Sequence, residues 1–168
     1  MRLFVGIELD ESFRDALRQL QNDMIDGGLA GIPAPKENLH LTLAFIGEYG
    51  NADEVTDALE EVPFEPFEIK LSGIGSFRDL YWAGIEENED LETLAARIRR
   101  SLALHDIPFD RKSFHPHITL LRKAFFRNPE AGLPQIMPDV KMTVEHFTLF
   151  RSERGKNGMI YTVIAELE

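Results

Sequence analysis

The chain has 168 residues, no cysteine and a formal net charge of −11. A length of this order suits one compact domain that buries roughly 70% of its unfolded surface without help from metal or disulfide, and the lack of thiols excludes cysteine nucleophiles, disulfides and thiolate zinc sites. The negative balance excludes a protein that grips long nucleic acid over its whole surface, yet Arg111, Lys112, Arg122, Lys123 and Arg127 stand against Asp110 alone between Pro108 and Asn128, a local basic patch suited to a small anionic target.

The first predicted element is a buried strand over Leu3–Ile7. It turns acidic at Glu8 and Asp10, too soon for a signal-peptide core. No apolar run approaches the roughly 18 residues of a membrane helix, so a soluble, cytoplasmic chain is expected. Phe13, Ala16, Leu17, Leu20 and Met24 then form one helical stripe, capped by Asp10 and ended by Gly27-Gly28. A second strand covers Leu39–Phe45, a short helix is expected near Asp53–Glu61, and a further strand over Phe67–Ile74. Gly73-Ile74-Gly75 lacks the third glycine and following helix of a dinucleotide fingerprint and reads as a turn.

From Leu80 the pattern starts again. Ala83-Gly84-Ile85-Glu86 matches Val5-Gly6-Ile7-Glu8 at an offset of 78, and Leu91, Leu94, Ala95, Ile98 and Leu102 repeat the helical stripe at the same offset, with Asn88 or Asp90 as cap. The next strand, Pro116–Leu121, repeats Leu39–Phe45 at an offset of 77. A proline-containing loop over Arg127–Pro138, a strand over Val140–Phe150 and a polar turn over Ser152–Gly158 complete the second half; that turn, with Arg151, Arg154 and Lys156, reads as a plain hairpin first and as the rim of a cleft second. The expected fold class is α+β: one domain over 1–168, with two intertwined repeats near 1–77 and 78–168 related by a pseudo-twofold.

The repeated second strands read His40-Leu41-Thr42-Leu43 and His117-Ile118-Thr119-Leu120. Residues i and i+2 share a strand face, so His40 projects with Thr42 and His117 with Thr119, while the aliphatic residues turn to the core. A pseudo-twofold would bring two imidazoles and two hydroxyls to one cleft. Opening a cyclic phosphodiester with water needs a base for the water and an acid for the departing oxygen, and histidine serves both near neutral pH. The hydroxyls suit the non-bridging phosphate oxygens. One His-x-Thr strand is more often structural; two at equivalent points of a repeat favour shared chemistry. The other histidines have plainer explanations. His115 and His117 share a strand face but lack a third metal ligand unless Asp110 folds back, so no metal is expected. His105 ends a helix, where a cation is favoured, and His146 falls in a strand pattern. Phe4, Phe45, Tyr49 and Phe114 flank the motifs and read as core.

Glu37-Asn38-Leu39-His40-Leu41-Thr42-Leu43-Ala44-Phe45-Ile46-Gly47 and Pro116-His117-Ile118-Thr119-Leu120-Leu121-Arg122 resemble the two signature segments of the 2H phosphoesterases, and most nearly the RNA 2′,3′-cyclic phosphodiesterases historically called 2′-5′ RNA ligases. The resemblance runs from Arg2 to the last strands at Leu149–Ser152 and Gly158–Tyr161. It implies a bilobal fold with a central cleft, metal-independent and cofactor-free chemistry giving a 2′-phosphate, His40 as proton donor and His117 as proton acceptor. It also implies phosphate contacts from Thr42, Thr119 and Arg122, with RNA ends or small nucleotides bearing a cyclic phosphate as partners of a monomer. Strand parity turns Arg122 away from His117, so that contact requires a twist or bulge at Leu121. Two departures bear on the cleft: Pro33 stands where relatives often carry tryptophan, and the Phe77–Tyr81 segment is short. Two alternatives remain, a different small cyclic or 2′-5′ phosphodiester as substrate and a nucleotide-binding module of the same fold; reversible 2′-5′ ligation is the same chemistry run backwards.

Overall fold

Both long helices begin at side-chain caps. Asp10 accepts from the Phe13 N–H at 2.8 Å and Asn88 from the Leu91 N–H at 2.9 Å, each satisfying one donor that an isolated helix start leaves unpaired. Asn88 is therefore the cap of the second helix, and Asp90 lies in its first turn. The computed structural model describes residues 1–168. Its elements run β1 (Arg2–Glu8), α1 (Glu11–Asp26), β2 (Leu29–Pro33), a 3-10 turn (Lys36–Asn38), β3 (His40–Glu48), α2 (Ala52–Glu60), β4 (Phe67–Phe77), β5 (Leu80–Ile85), α3 (Glu89–Leu104), β6 (His117–Phe126), β7 (Lys141–Val144), β8 (Phe147–Gly155) and β9 (Gly158–Leu167). The helices α1 and α3 keep the 78-residue offset at both ends.

The strands form two antiparallel sheets, ordered β3-β1-β8-β9 and β2-β6-β5-β4-β7. Each sheet thus mixes early and late strands. The β1–β3 pair is completed by β8 and β9, and the β5–β6 pair by β2 and β4. The helices cross as well: α1 follows a strand of the first sheet yet packs on β2 and β6 of the second, while α3 reaches β3 of the first. One apolar cluster joins both sheets to all three helices, including Leu3, Phe13, Leu41, Val55, Ile98 and Ile118. The fold is α+β, with two antiparallel sheets and three α-helices.

The repeated glycine of the Val-Gly-Ile-Glu and Ala-Gly-Ile-Glu segments has a steric cause. A Cβ on Gly6 would lie 2.8 Å from the Leu41 carbonyl oxygen, and one on Gly84 would lie 2.5 Å from that of Ser72. The registers differ nonetheless. Gly6 pairs with Thr42, whereas Gly84 pairs with His117 rather than Thr119. A slip of two residues preserves which face each side chain takes, so the motif geometry survives it.

Three sequence expectations need correction. Val140–Phe150 is not one strand: β7 pairs with β4 in the second sheet and β8 with β1 in the first, and the chain crosses between sheets at Glu145-His146. Gly73-Ile74-Gly75 is no turn either. It lies inside β4, where Gly73 at φ 77° occupies a register shift between Leu71 and Ile74, so the strand bends and continues. The edge strand β2 was not anticipated, because its Ala-Gly-Ile-Pro run lacks alternation and ends at Pro33, which a sheet tolerates only at its margin.

Candidate active site

Leu39 just before β3, and Leu41 and Leu43 on it, are buried in the core, which turns His40 and Thr42 to the opposite face. Both strands then break their alternation at equivalent points. Opposite β1, Thr42 pairs with Gly6 and Ala44 with Val5, leaving Leu43 as the extra residue. Opposite β5, Thr119 pairs with Trp82 and Leu121 with Tyr81, leaving Leu120 extra. These are paired β-bulges, 77 residues apart. The second has a direct consequence. Leu120 and Leu121 are both 0% exposed, and Arg122 emerges on the same side as His117 and Thr119. The parity objection to Arg122 is thereby removed, with the inserted residue at Leu120 rather than Leu121. A cleft of about 670 Å³ is lined by His40, Thr42, His117, Thr119 and Arg122, with Pro33 in its wall.

The bulge is braced from behind. Gln21 on α1 is fully buried, and its Nε2 donates to the Leu120 carbonyl at 2.9 Å and the Ala34 carbonyl at 3.0 Å. One amide therefore ties the bulge to the segment that walls the cleft. Ala34 N–H adds a backbone bond to the same Leu120 oxygen at 2.9 Å.

The two imidazoles are held alike. His40 Nδ1 lies 2.7 Å from the Asn38 carbonyl and His117 Nδ1 lies 2.6 Å from the His115 carbonyl. A carbonyl only accepts, so each Nδ1 carries a proton and each Nε2 is left for other partners. Thr42 Oγ1 lies 3.0 Å from His40 Nε2 and donates to it while the ring is neutral. His117 Nε2 makes no hydrogen bond to the protein. Aromatic rings enclose both. Phe4 packs 4.8 Å and Tyr161 5.1 Å from the His40 ring, and Phe77 lies 5.2 Å and Trp82 6.1 Å from that of His117. Burial pushes His40 below the ordinary histidine range against the raising effect of its Asn38 bond, and the positive charges of Arg122 and a protonated His117 push it further down. Burial likewise lowers His117, against the raising effect of its bond to the His115 carbonyl, and positive charge on the His115 ring adds to the lowering.

The remaining residues sort cleanly. His115 supplies its carbonyl to His117 and packs its ring 4.9 Å from Trp82, while Asp110 accepts from the Lys112 N–H. His105 caps α3 and bonds Glu61 at 2.8 Å. His146 is not in a strand but at the crossing between sheets, 3.8 Å from Glu8 and 3.9 Å from Glu166. These three place ligand atoms within 4.8 Å of one another. Phe4 faces the cleft histidine instead of simply filling the core, and Trp82 does the same for His117. Sequence held a usable signal for this pair, since Phe4 and Trp82 stand 78 residues apart, two positions before the repeated glycines. Asn38 and Tyr161 stood out only as members of the segments that carry the family resemblance, and Gln21 carried no signal.

A model of the 2′-5′ RNA ligase superfamily matches residues 9–156. The RNA 2′,3′-cyclic phosphodiesterase of Archaeoglobus fulgidus is 34% identical over 140 residues, covering 79% of this chain and 77% of its own. Among solved structures, TT0787 of Thermus thermophilus superposes with a TM-score of 0.81 at 33% identity, covering 99% of this chain and 97% of the other. Escherichia coli LigT complexed with 3′-AMP superposes with a TM-score of 0.78 at 26% identity, covering 99% and 96%.

Proposed function

The chain belongs to the 2′-5′ RNA ligase superfamily, and on that premise we propose that it hydrolyses RNA 2′,3′-cyclic phosphate ends, with His40 as proton donor and His117 as proton acceptor. The observation that carries this reading is the matched pair of imidazoles, each with Nδ1–H held by a carbonyl two residues upstream and Nε2 left to the cleft. Water attacks phosphorus while His117 Nε2 takes its proton. The bond from phosphorus to O3′ breaks, and His40 Nε2 protonates that oxygen. The products are a 2′-phosphate and a free 3′-hydroxyl, and the two histidines end with their protonation states exchanged until solvent restores them.

Asymmetry between the histidines supports the assignment. His117 Nε2 has no protein partner and is free to receive a water proton, whereas His40 Nε2 lies against Thr42 in the more enclosed position. The Thr42 and Thr119 hydroxyls donate to non-bridging oxygens and hold the ring for in-line attack, and the Arg122 guanidinium offsets the charge that builds there. The 3′-AMP complex of Escherichia coli LigT supports a nucleotide as occupant. The donor set consists of imidazoles, hydroxyls and a guanidinium, which together supply acid, base and anion stabilisation. Activity is accordingly expected to persist in EDTA. The test is hydrolysis of a short RNA ending in a 2′,3′-cyclic phosphate with EDTA present and the product isomer identified. A 2′-phosphate supports the reading; a 3′-phosphate, or turnover only on adding metal, contradicts it.

A further inference from the structure

We infer that the cleft takes the 3′ end of an RNA strand in preference to a lone cyclic nucleotide, with the tip of the β8–β9 hairpin and Lys123 gripping the internucleotide phosphates next to the cyclic one. This rests on the proposed activity and goes beyond it in naming the length of substrate the site is built for. The chain holds 29 acidic against 18 basic residues, yet no Asp or Glu lines the cleft, while Arg122, Lys123, Arg154 and Lys156 do. None of these four forms an ion pair. Lys36, Lys70 and Lys141 do find carboxylates, whereas Lys112 and most arginines outside the cleft do not; what sets these four apart is that they converge on one cleft with no acidic residue in its lining. Cations left unpaired together, on a molecule with carboxylates in excess, mark an anion site.

The charge exceeds what the reacting group requires. A 2′,3′-cyclic phosphate is a diester with a single negative charge, and Arg122 with the two threonines and a protonated His40 already answers it. Lys123, Arg154 and Lys156 remain. The next anions on an RNA strand are the internucleotide phosphates on the 5′ side of the terminal nucleotide.

The hairpin is seated and not merely nearby. Arg154 pairs with Met159 and Gly155 with Gly158 at its tip, and a Cβ on Gly155 would lie 2.5 Å from Ile160 Cδ1, so the turn is closed tightly. Asn38 Nδ2 donates to the Met159 carbonyl at 2.9 Å, and the Asn38 carbonyl accepts the His40 Nδ1–H. One residue therefore fixes both the donor histidine and the hairpin that carries Arg154 and Lys156. On the other rim, Lys123 follows the β6 bulge at φ 51°, a left-handed conformation that a lysine rarely adopts, and it lines the cleft beside Arg122.

The test compares binding of an RNA tetranucleotide ending in a 2′-phosphate with that of the corresponding 2′-mononucleotide, by calorimetry across a salt series, in the wild-type chain and in R154A/K156A. Each phosphate contact on a single strand steepens the logarithmic salt dependence by roughly 0.7, so three contacts should make the tetranucleotide slope steeper by roughly 2 and its affinity at least about 10-fold higher at low salt. R154A/K156A should lose roughly 1.4 of that slope and most of the length advantage, while mononucleotide binding and cyclic mononucleotide turnover stay unchanged. Equal affinities and slopes for the two ligands in the wild type overturn the inference, as does a double variant that keeps the advantage. Turnover separates this failure from failure of the activity itself. Cyclic mononucleotide opened without any length advantage removes the phosphate grip alone, whereas a salt-sensitive length advantage with no turnover upholds the grip and removes the proposed reaction.

Discussion

A histidine accepts a proton only while neutral and donates one only while charged, so the surroundings of His40 and His117 set the pH at which the pair can work. Both are pushed below the ordinary value of 6.5, first by burial. The base, His117, becomes competent as pH rises through its lowered pKa, and the acid, His40, loses competence as pH rises through its own. Both limbs of the kcat/KM profile, which reports the free enzyme, therefore fall on the acid side of 6.5, and so does the optimum. A bound phosphate anion beside His40 favours its charged form, so the basic limb of kcat should lie higher than that of kcat/KM. Parallel pH–rate profiles for the two parameters check this; a kcat/KM optimum above neutrality would contradict it. At this scale the sequence was informative wherever side chains repeat. His40, Thr42, His117 and Thr119 were legible because the period-2 pattern and the duplicated strand put them together. The carbonyls of Asn38 and His115, which fix the tautomers, were not, because every residue has a carbonyl and only the folded path shows which one an imidazole meets.

A strand that alternates strictly would hide Arg122 in the core side of β6, and the Leu120 bulge is what turns it out. Two adjacent leucines were visible in the sequence, but whether one of them is inserted depends on the pairing with β5. Gln21 lies 99 residues earlier and braces that bulge, a contact no local pattern could disclose. The expected result for Gln21→Leu is a loss of about 1–3 kcal/mol in denaturant unfolding, because the Leu120 and Ala34 carbonyls lose a buried donor. Below its melting temperature the variant should also bind inorganic phosphate more weakly, through Arg122. A double-mutant cycle with Arg122→Ala checks the route: the effects should be less than additive if Gln21 acts by holding the bulge, and additive if it contributes stability alone.

Across the whole molecule the repeat is evident in sequence, whereas the exchange of strands between its halves is not. Hydrophobic patterns report that Leu3–Ile7 and Leu80–Ile85 are buried strands, but not that β1 takes β8 as its second neighbour or that β5 takes β4. The crossing at Glu145-His146 was missed for the same reason, since a chain that changes sheets without a helix or glycine leaves no local mark. Because each sheet is finished by strands from the other half, residues 1–77 and 78–168 expressed separately should each lack a stable fold. A segment of 1–77 keeps the β1–β3 pair but exposes the β1 edge that β8 covers. Amide exchange on each fragment checks this, and protected β1 amides in the isolated first half would contradict the intertwined arrangement.

The measurement that bears most directly on the central claim is single-turnover hydrolysis of a cyclic-phosphate-ended RNA by His40→Ala, His117→Ala and the double variant, with folding verified in each. The two-histidine account predicts that each single variant loses at least about 10²-fold in rate and that the double variant is little worse than either, as groups acting as a unit behave. Wild-type activity in either single variant would contradict it.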